Sequence, residues 1–550
     1  MSGKPASQPG LRQTMSWLHT WCGLVCGWLL CAIFLTGSIS VFREPITLWM
    51  QGVPLEGGGQ QPLSPEERLQ TLRLAEQHLS KTAPDASIWR ISLPLHTGDG
   101  VKVFARAQDG DLQASLHVHT GEVLPEPAMR QTEGGRHFMS FHYSLQGGIA
   151  GFWVVGLVSM CMMVALVSGV IVHRRIFQDF FTFRPGKGQR SWLDAHNASA
   201  VLTLPFLFMI VYTGLAHFYT SYMPWPLQSL YGQDRSAYSR YESELNARPE
   251  ANTPSNTPSN APAIAVVDLV SLAQHAQSLL TGPVVGVVVQ RPEGAPATIR
   301  FTEGKPDTAV TRRMVNSANS LIFDAISGRL LQAPNNPASG NLATDTYPVI
   351  SALHLVTFGG WTMKWLYFVL GLVGTAMIAS GSILFAVKRR ARSGHEWGAA
   401  TPSIYRCIDA LNVAALAGSA LASIAYLYGN RLLPLLLEAR SSWEIRVFFA
   451  VWALSLLHAL LRTARQAWCE QLWILALLCL GLPLLNVMTT GQHLLLYLAQ
   501  GDGQRAGLEL TCMALGLLVA WGAWLHEKSQ RSKSTAQLRA GRGVISGGLT

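Results

Sequence analysis

Hydrophobic positions along this chain fall into long unbroken runs rather than the short alternations of a soluble fold. Leu18 to Phe42 is 25 residues without a charge, Tyr143 to Val172 is 30, Ala195 to Gln233 is 39 and Leu366 to Val387 is 22. Each exceeds the roughly 20 residues that a helix needs to cross the hydrocarbon core of a bilayer. Four further apolar stretches follow, at about Ala410–Gly429, Trp443–Leu461, Leu472–Thr490 and Gly507–His526. The pattern predicts a mainly α-helical transmembrane bundle of about eight spans. The first four are expected at 12–42, 142–175, 191–222 and 347–390, and a C-terminal four-helix membrane module at 403–526. The run from Leu18 does not read as a cleavable signal peptide. It is too long, and Arg43 and Glu44 follow it instead of a small-residue cleavage site.

Between the spans lie two long hydrophilic segments, 43–141 and 234–346, and a basic tail, 527–550. In the first segment, Ser64-Pro65-Glu66-Glu67 opens a helix to about Ser80, with Pro at the first helical position. Strand-like runs follow at Ile88–Pro94, Val101–Ala107 and Leu112–Val118. In the second, Val266–Leu280 reads as the helix, and residues 248–263, with Thr-Pro-Ser-Asn twice, as a low-complexity linker. Leu116–Leu124 and Phe323–Leu331 both read as strand, glycine turn and strand. Each segment is thus expected to hold an α+β domain.

Short-loop charges orient the bundle, because Lys and Arg favour the cytoplasmic side. Arg174, Arg175, Arg184, Lys187 and Arg190 fill one loop, and Lys388, Arg389, Arg390, Arg392 and Arg406 another. The tail carries Lys528, Arg531, Lys533, Arg539 and Arg542. With eight spans all three groups share one side, so both termini are expected in the cytoplasm and both α+β domains in the periplasm of a bacterial inner membrane. Composition agrees: 49% of residues are hydrophobic and only 13% charged, against about a quarter in soluble domains. The net charge of +10 is then a topology signal and does not imply a nucleic-acid partner. Eight cysteines show neither a zinc spacing nor the CxxCH of covalently attached haem. No nucleotide-binding glycine loop is visible, so a reducing equivalent would have to come from outside the chain.

Four histidines recur at matched offsets. His19 precedes Thr36-Gly37 by 17 residues, and His196 precedes Thr213-Gly214 by the same 17. His142 is followed by Gly147-Gly148 and, 26 residues on, by Ser168-Gly169; His354 is followed by Gly359-Gly360 and, 26 residues on, by Ser380-Gly381. The pattern predicts an internal tandem repeat, about 12–175 and 191–390, related by a pseudo-twofold axis along the membrane normal. His19 and His196 are expected to start spans at the cytoplasmic face, His142 and His354 at the periplasmic face. Neutral imidazole is a good axial ligand for haem iron, and facing helices can supply two. Two b-type haems are therefore expected, one near each face. His173 and His217 are alternative ligands, the first at the cytoplasmic level and the second at the periplasmic one. The Gly and Ser pairs fit close helix packing or a flat haem face. His117 and His119 read as an exposed strand face, and His458, His493 and His526 as structural groups or an electron-entry site.

Trp17-Leu18-His19 with Gly23 and Thr36-Gly37, Leu353-His354 with Gly359-Gly360, and the hairpins at Thr120-Gly121 and Ser327-Gly328 resemble the PepSY-associated transmembrane family over about residues 12–392. The resemblance implies PepSY-like periplasmic domains. Some members resemble inner-membrane siderophore reductases, which implies two haem b groups on His19, His196, His142 and His354 and reduction of Fe(III) to Fe(II) in the periplasm. The implied partners are a ferric siderophore, an electron donor (a quinol, a reductase or a cytoplasmic reductant), membrane lipid, and periplasmic proteins that bind iron or handle siderophores. Two other functions fit the same residues: a non-enzymatic PepSY membrane regulator, and a quinol-linked dihaem cytochrome with another periplasmic acceptor. His117 stands where the second hairpin has Asp324, which leaves the role of that position open.

Overall fold

The computed structural model describes residues 10–52, 62–95, 100–107, 110–124, 130–173, 189–234, 237–238, 240–241, 267–280, 282–291, 296–304, 320–332, 342–392 and 397–546. The linker at 248–263 and the loop residues Arg174, Arg175, Arg184 and Lys187 lie outside these. The chain divides into two compact units, one drawn from 1–53, 129–216 and 364–550, the other from 54–128 and 217–363.

Eight helices among the described residues are long and apolar enough to cross a membrane. The first four are Leu11–Ser40, Gly148–Val172, Gln189–His217 and Gly360–Arg390. The fifth to eighth are Gly398–Leu432, Arg440–Leu461, Ala464–Thr490 and Gly503–Lys528. Leu30 and Ile33 of the first span, Val158 and Met162 of the second, Leu207 of the third and Met377 of the fourth share one apolar core. Pro205 sits inside the third span and Pro483 inside the seventh. Within a bundle, neighbouring groups re-satisfy the backbone that a proline frees.

The second and fourth spans do not begin at His142 and His354. A separate helix, Arg136–Ser144, carries His142 in its last turn, and another, Leu342–Leu355, carries His354 in its last turn. Between Arg136–Ser144 and the second span the backbone turns left-handed at Leu145, Gln146 and Gly148; before the fourth span it does so at Val356, Gly359 and Gly360. A left-handed residue cannot continue a right-handed helix, so these residues end one axis before the next begins. The helix holding His142 is thus not one overlong rod.

The other unit is built on a seven-stranded antiparallel sheet. Its strands are β1 (Ile88–Ser92), β2 (Val101–Ala107), β3 (Gly110–Leu116), β4 (Val284–Gln290), β5 (Thr298–Glu303), β6 (Ser320–Asp324) and β7 (Leu330–Gln332). The order is β3-β2-β1-β4-β5-β6-β7. The two hydrophilic segments, read from sequence as separate domains, therefore supply strands to a single sheet. They meet at β1 and β4, where Trp89 faces Val289 and Ile91 faces Val287. Helices Pro65–Thr82 and Leu269–Leu279 bury Leu72, Leu79, Ala273 and Ala276 in the same cluster as Ile91, Phe301 and Phe323. Ser64 caps the first helix: its Oγ accepts from Glu67 N at 3.2 Å while its own amide donates to Glu67 Oε2 at 2.8 Å. Asp268 caps the second by accepting from Ser271 N at 3.2 Å.

The turns after β3 and β6 use the same device. His117 Nδ1 accepts from the amides of His119 and Thr120, both at 3.3 Å. Asp324 Oδ1 accepts from the amides of Ile326 and Ser327, at 3.1 and 2.7 Å. In each, a glycine four residues on adopts positive φ, +70° at Gly121 and +68° at Gly328. β3 ends at Leu116, so His117 and His119 lie in the turn rather than on a strand face.

Candidate functional site

The repeat-related histidines His19, His142 and His196 make one and the same contact. His19 Nδ1 lies 2.8 Å from the carbonyl of Ala165, His142 Nδ1 lies 2.8 Å from that of Ile33, and His196 Nδ1 lies 3.0 Å from that of Met377. A carbonyl only accepts, so Nδ1 carries the proton. In a neutral imidazole this leaves Nε2 with its lone pair.

Each carbonyl precedes a glycine by four residues: Ile33 precedes Gly37, Ala165 precedes Gly169 and Met377 precedes Gly381. Four residues is one turn, so the carbonyl and the glycine sit on one helix face. The imidazole lies against that face. A Cβ at Gly169 would be 3.0 Å from His19 Cε1, one at Gly381 would be 3.0 Å from His196 Cε1, and one at Gly37 would be 2.6 Å from His142 Cε1. Thr36-Gly37, Ser168-Gly169 and Ser380-Gly381 are thus seats for histidine rings as well as small packing residues. Ser380 adds to its seat, its Oγ standing 3.3 Å from His196 Nδ1.

The structure brings His19 and His196 together with ring centres 6.2 Å apart. His217 and His354 stand 6.3 Å apart with nearly parallel planes. Two imidazoles on opposite sides of one metal, each bonded at about 2 Å, would have ring centres roughly 6 Å apart. The ring spacing of either pair would admit one metal held by two imidazoles. His217 Nδ1 is buried without a hydrogen-bond partner among the described residues. His173 accepts from Asn197 Nδ2 through its own Nε2 at 2.8 Å, so that nitrogen is already engaged. Asn197 was not visible as a functional residue from sequence. Among the described residues no three His, Cys, Asp or Glu side chains converge as for a bare metal ion.

Three other histidines have structural partners. His458 Nε2 meets Glu470 Oε2 at 2.7 Å, and His493 Nδ1 caps a short helix by accepting from Leu496 N at 3.1 Å. His137, on the same helix as His142, is fully buried. It stacks on Tyr426 with ring centres 4.4 Å apart and hydrogen-bonds Gln146 through Nδ1 at 2.9 Å. Sequence reading also missed a buried ionic cluster of Arg431, Arg440, Glu444 and Glu509. Charges flanking spans look like topology signals, and nothing in a linear pattern shows that these turn inward.

The chain aligns with an uncharacterised protein of Pseudomonas aeruginosa at 26% identity over 412 residues, covering 71% of this chain and 94% of that protein. The profile of the PepSY-associated TM region matches residues 16–388, which takes in the first four spans, the sheet unit and every histidine of the repeat pattern. On that match, which spans well over half of its length, the chain belongs to the PepSY-associated TM region family.

Proposed function

We propose that this protein is a dihaem b-type membrane oxidoreductase that carries electrons across the inner membrane and reduces ferric siderophore in the periplasm, releasing Fe(II). The observation that carries the reading is the repeated imidazole contact, with Nδ1–H fixed on a helix carbonyl so that Nε2 carries the lone pair. Such outer hydrogen bonds set the tautomer and ring orientation of metal-bound histidine. His19 and His196 would hold one haem at the cytoplasmic face, and His142 and His354, with His217 as the alternative, would be the ligands at the periplasmic face. From His19 to Gly37, where His142 sits, the first span rises about 27 Å, close to the thickness of the hydrocarbon core.

A bound haem supplies a one-electron couple whose potential follows its ligands, burial and hydrogen bonds. The chain's own residues set those terms. The carbonyls of Ala165, Ile33 and Met377 raise the basicity of the rings they hold, and the glycine seats stop the rings from turning. Leu30, Ile33, Val158 and Met162, buried in one apolar cluster of the first two spans, would keep water from the space between the two levels. The substrate chemistry fits a one-electron step: Fe(III) is held by hard anionic oxygens, and Fe(II) is softer and held less tightly by them. The chain shows no flavin or nicotinamide motif, so the electron comes from a quinol, a reductase or a cytoplasmic reductant.

The purified protein is expected to be red, with a reduced b-type spectrum and close to two haems per chain. His19→Ala or His196→Ala should remove one haem and leave the other. Mixing the reduced protein anaerobically with ferric chelates should reoxidise it as Fe(II) appears. Colourless protein of normal yield would overturn the proposal and favour a non-enzymatic PepSY regulator. Red protein that no ferric chelate reoxidises would point to a cytochrome with another acceptor.

A further inference from the structure

The fourth span belongs to the family-matched region, and the fifth to seventh spans lie beyond residue 388, where that match ends. Along this seam lies a cavity of about 640 Å³, joined through shared Arg390 and Asp409 to a second of about 260 Å³. The larger chamber is polar and cationic: Arg390, Arg406 and Arg462 line it with Thr401 and Thr463, against the single carboxylate of Asp409. Asp409 pairs with Arg390 at 2.5 Å and Arg462 pairs with Glu470, whereas Arg406 is exposed and has no ion-pair partner among the described residues. The smaller chamber is apolar on its fourth-span side, with Ile383, Ala386 and Val387, and Trp468 faces them from the seventh span. Ile383, Ala386 or Val387, and Arg390 repeat at helical spacing, so one stripe of the fourth span runs from apolar to cationic over about 10 Å.

We propose that this seam binds a phosphate group carried by an anionic phospholipid, the phosphate held by Arg406 and Arg462 and an acyl chain laid along Ile383, Ala386 and Val387. Arginine guanidinium is the group best suited to a phosphate oxyanion pair, and basic hollows between spans at the cytoplasmic face suit lipid headgroups. A soluble phosphate ester would satisfy the arginines alone and gain nothing from the apolar chamber beneath them. The lipid joins the family core to the added module at a site that neither part forms by itself. The proposal does not depend on haem, so either reading can fail without the other.

The test uses the full chain in detergent, followed by native mass spectrometry after exchange with phosphatidylglycerol, phosphatidylcholine or inorganic phosphate. The wild type should retain phosphatidylglycerol over phosphatidylcholine. Arg406→Gln should lower that retention roughly fivefold, and adding Arg462→Gln should lower it about as much again. Ile383→Trp, which fills the apolar chamber, should also release the lipid while leaving the arginines in place. Equal retention of both lipids, or unchanged retention in the arginine variants, would overturn the proposal. Displacement by inorganic phosphate, with retention indifferent to Ile383→Trp, would assign the cavity to a soluble phosphate ester and overturn the lipid assignment.

Discussion

Glycine at position 37 is a requirement of contact rather than of backbone freedom. It lies within a helix, and an added Cβ would stand 2.6 Å from two atoms of the His142 ring. That ring cannot retreat without losing its bond to the Ile33 carbonyl. On the proposed function, Gly37→Ala should lower the haem content from two toward one per chain, read from the reduced spectrum of the purified protein. Gly23→Ala is the matched control, since a Cβ there meets nothing within 4 Å, and it should keep both haems. Equal spectra for the two variants would sink the argument for a seat. The histidines themselves were legible in sequence, because an imidazole in an apolar run stands out and its offset from a Thr-Gly or Ser-Gly pair can be counted. The partner of each ring was not legible, because a backbone carbonyl has no signature in sequence. The same limit hid Asn197, whose amide occupies the Nε2 of His173.

Elements divide by whether their signal is local. The spans were readable from charge-free length, and the helix Pro65–Thr82 from its capping box at Ser64 and Glu67. The alternation Val101, Val103, Ala105 marked β2 with the bounds observed. The pairing of β1 with β4 was not readable, since the partners lie almost two hundred residues apart and no local pattern names a mate. The breaks at Leu145, Gln146 and Val356 were missed for a related reason: they place non-glycine residues in left-handed backbone, which only their surroundings can impose. The turn equivalence of His117 and Asp324 shows the opposite case, two unlike residues meeting one need, an acceptor for two turn amides. His117→Asp should therefore leave the thermal melting temperature within about one degree, and His117→Leu should lower it as two amides lose their acceptor. Asp268→Ala removes a helix cap and should cost about 1 kcal/mol in denaturant unfolding of the sheet unit. Hydrogen bonds from Ser271 hold the Asp268 carboxyl below its usual range. Its contribution is thus fully present above the ordinary carboxylate pKa and fades as pH falls through the lowered one, while the alanine variant shows no such loss.

Within the membrane unit, the four C-terminal spans form an integral part of the bundle through a buried polar seam at the end opposite His19. Trp49 Nε1, just past the first span, donates to Glu509 Oε1 of the eighth at 3.0 Å. Arg431 of the fifth span donates to the carbonyls of Trp49 and Met50. Arg130 reaches the carbonyls of Asn430 and Thr489, and Thr132 donates to Glu444. Arg440 and Glu444 pair with side chains 0% exposed. Removing one partner of a buried pair strands the other charge, at a cost of about 3–5 kcal/mol. Glu444→Ala should therefore lower the melting temperature of the purified protein sharply, whereas Glu444→Gln, which also loses the charge opposite Arg440 but keeps the volume and one acceptor oxygen, should cost somewhat less. The same reasoning reaches the whole chain. A version ending at residue 392 retains every histidine of the repeat pattern, yet it leaves Trp49, Arg130 and Thr132 without the groups that satisfy them. Buried polar groups without partners in a membrane are costly, so this chain should fail to accumulate in membranes, as quantified by immunoblot against the full-length protein. Co-expression of residues 393–550 as a separate chain should restore it, because the seam is made of side-chain and carbonyl contacts and not of the covalent link. Normal accumulation of the shortened chain alone would mean that the family core closes this surface by itself, and the polar seam would then be a docking feature rather than a condition of folding.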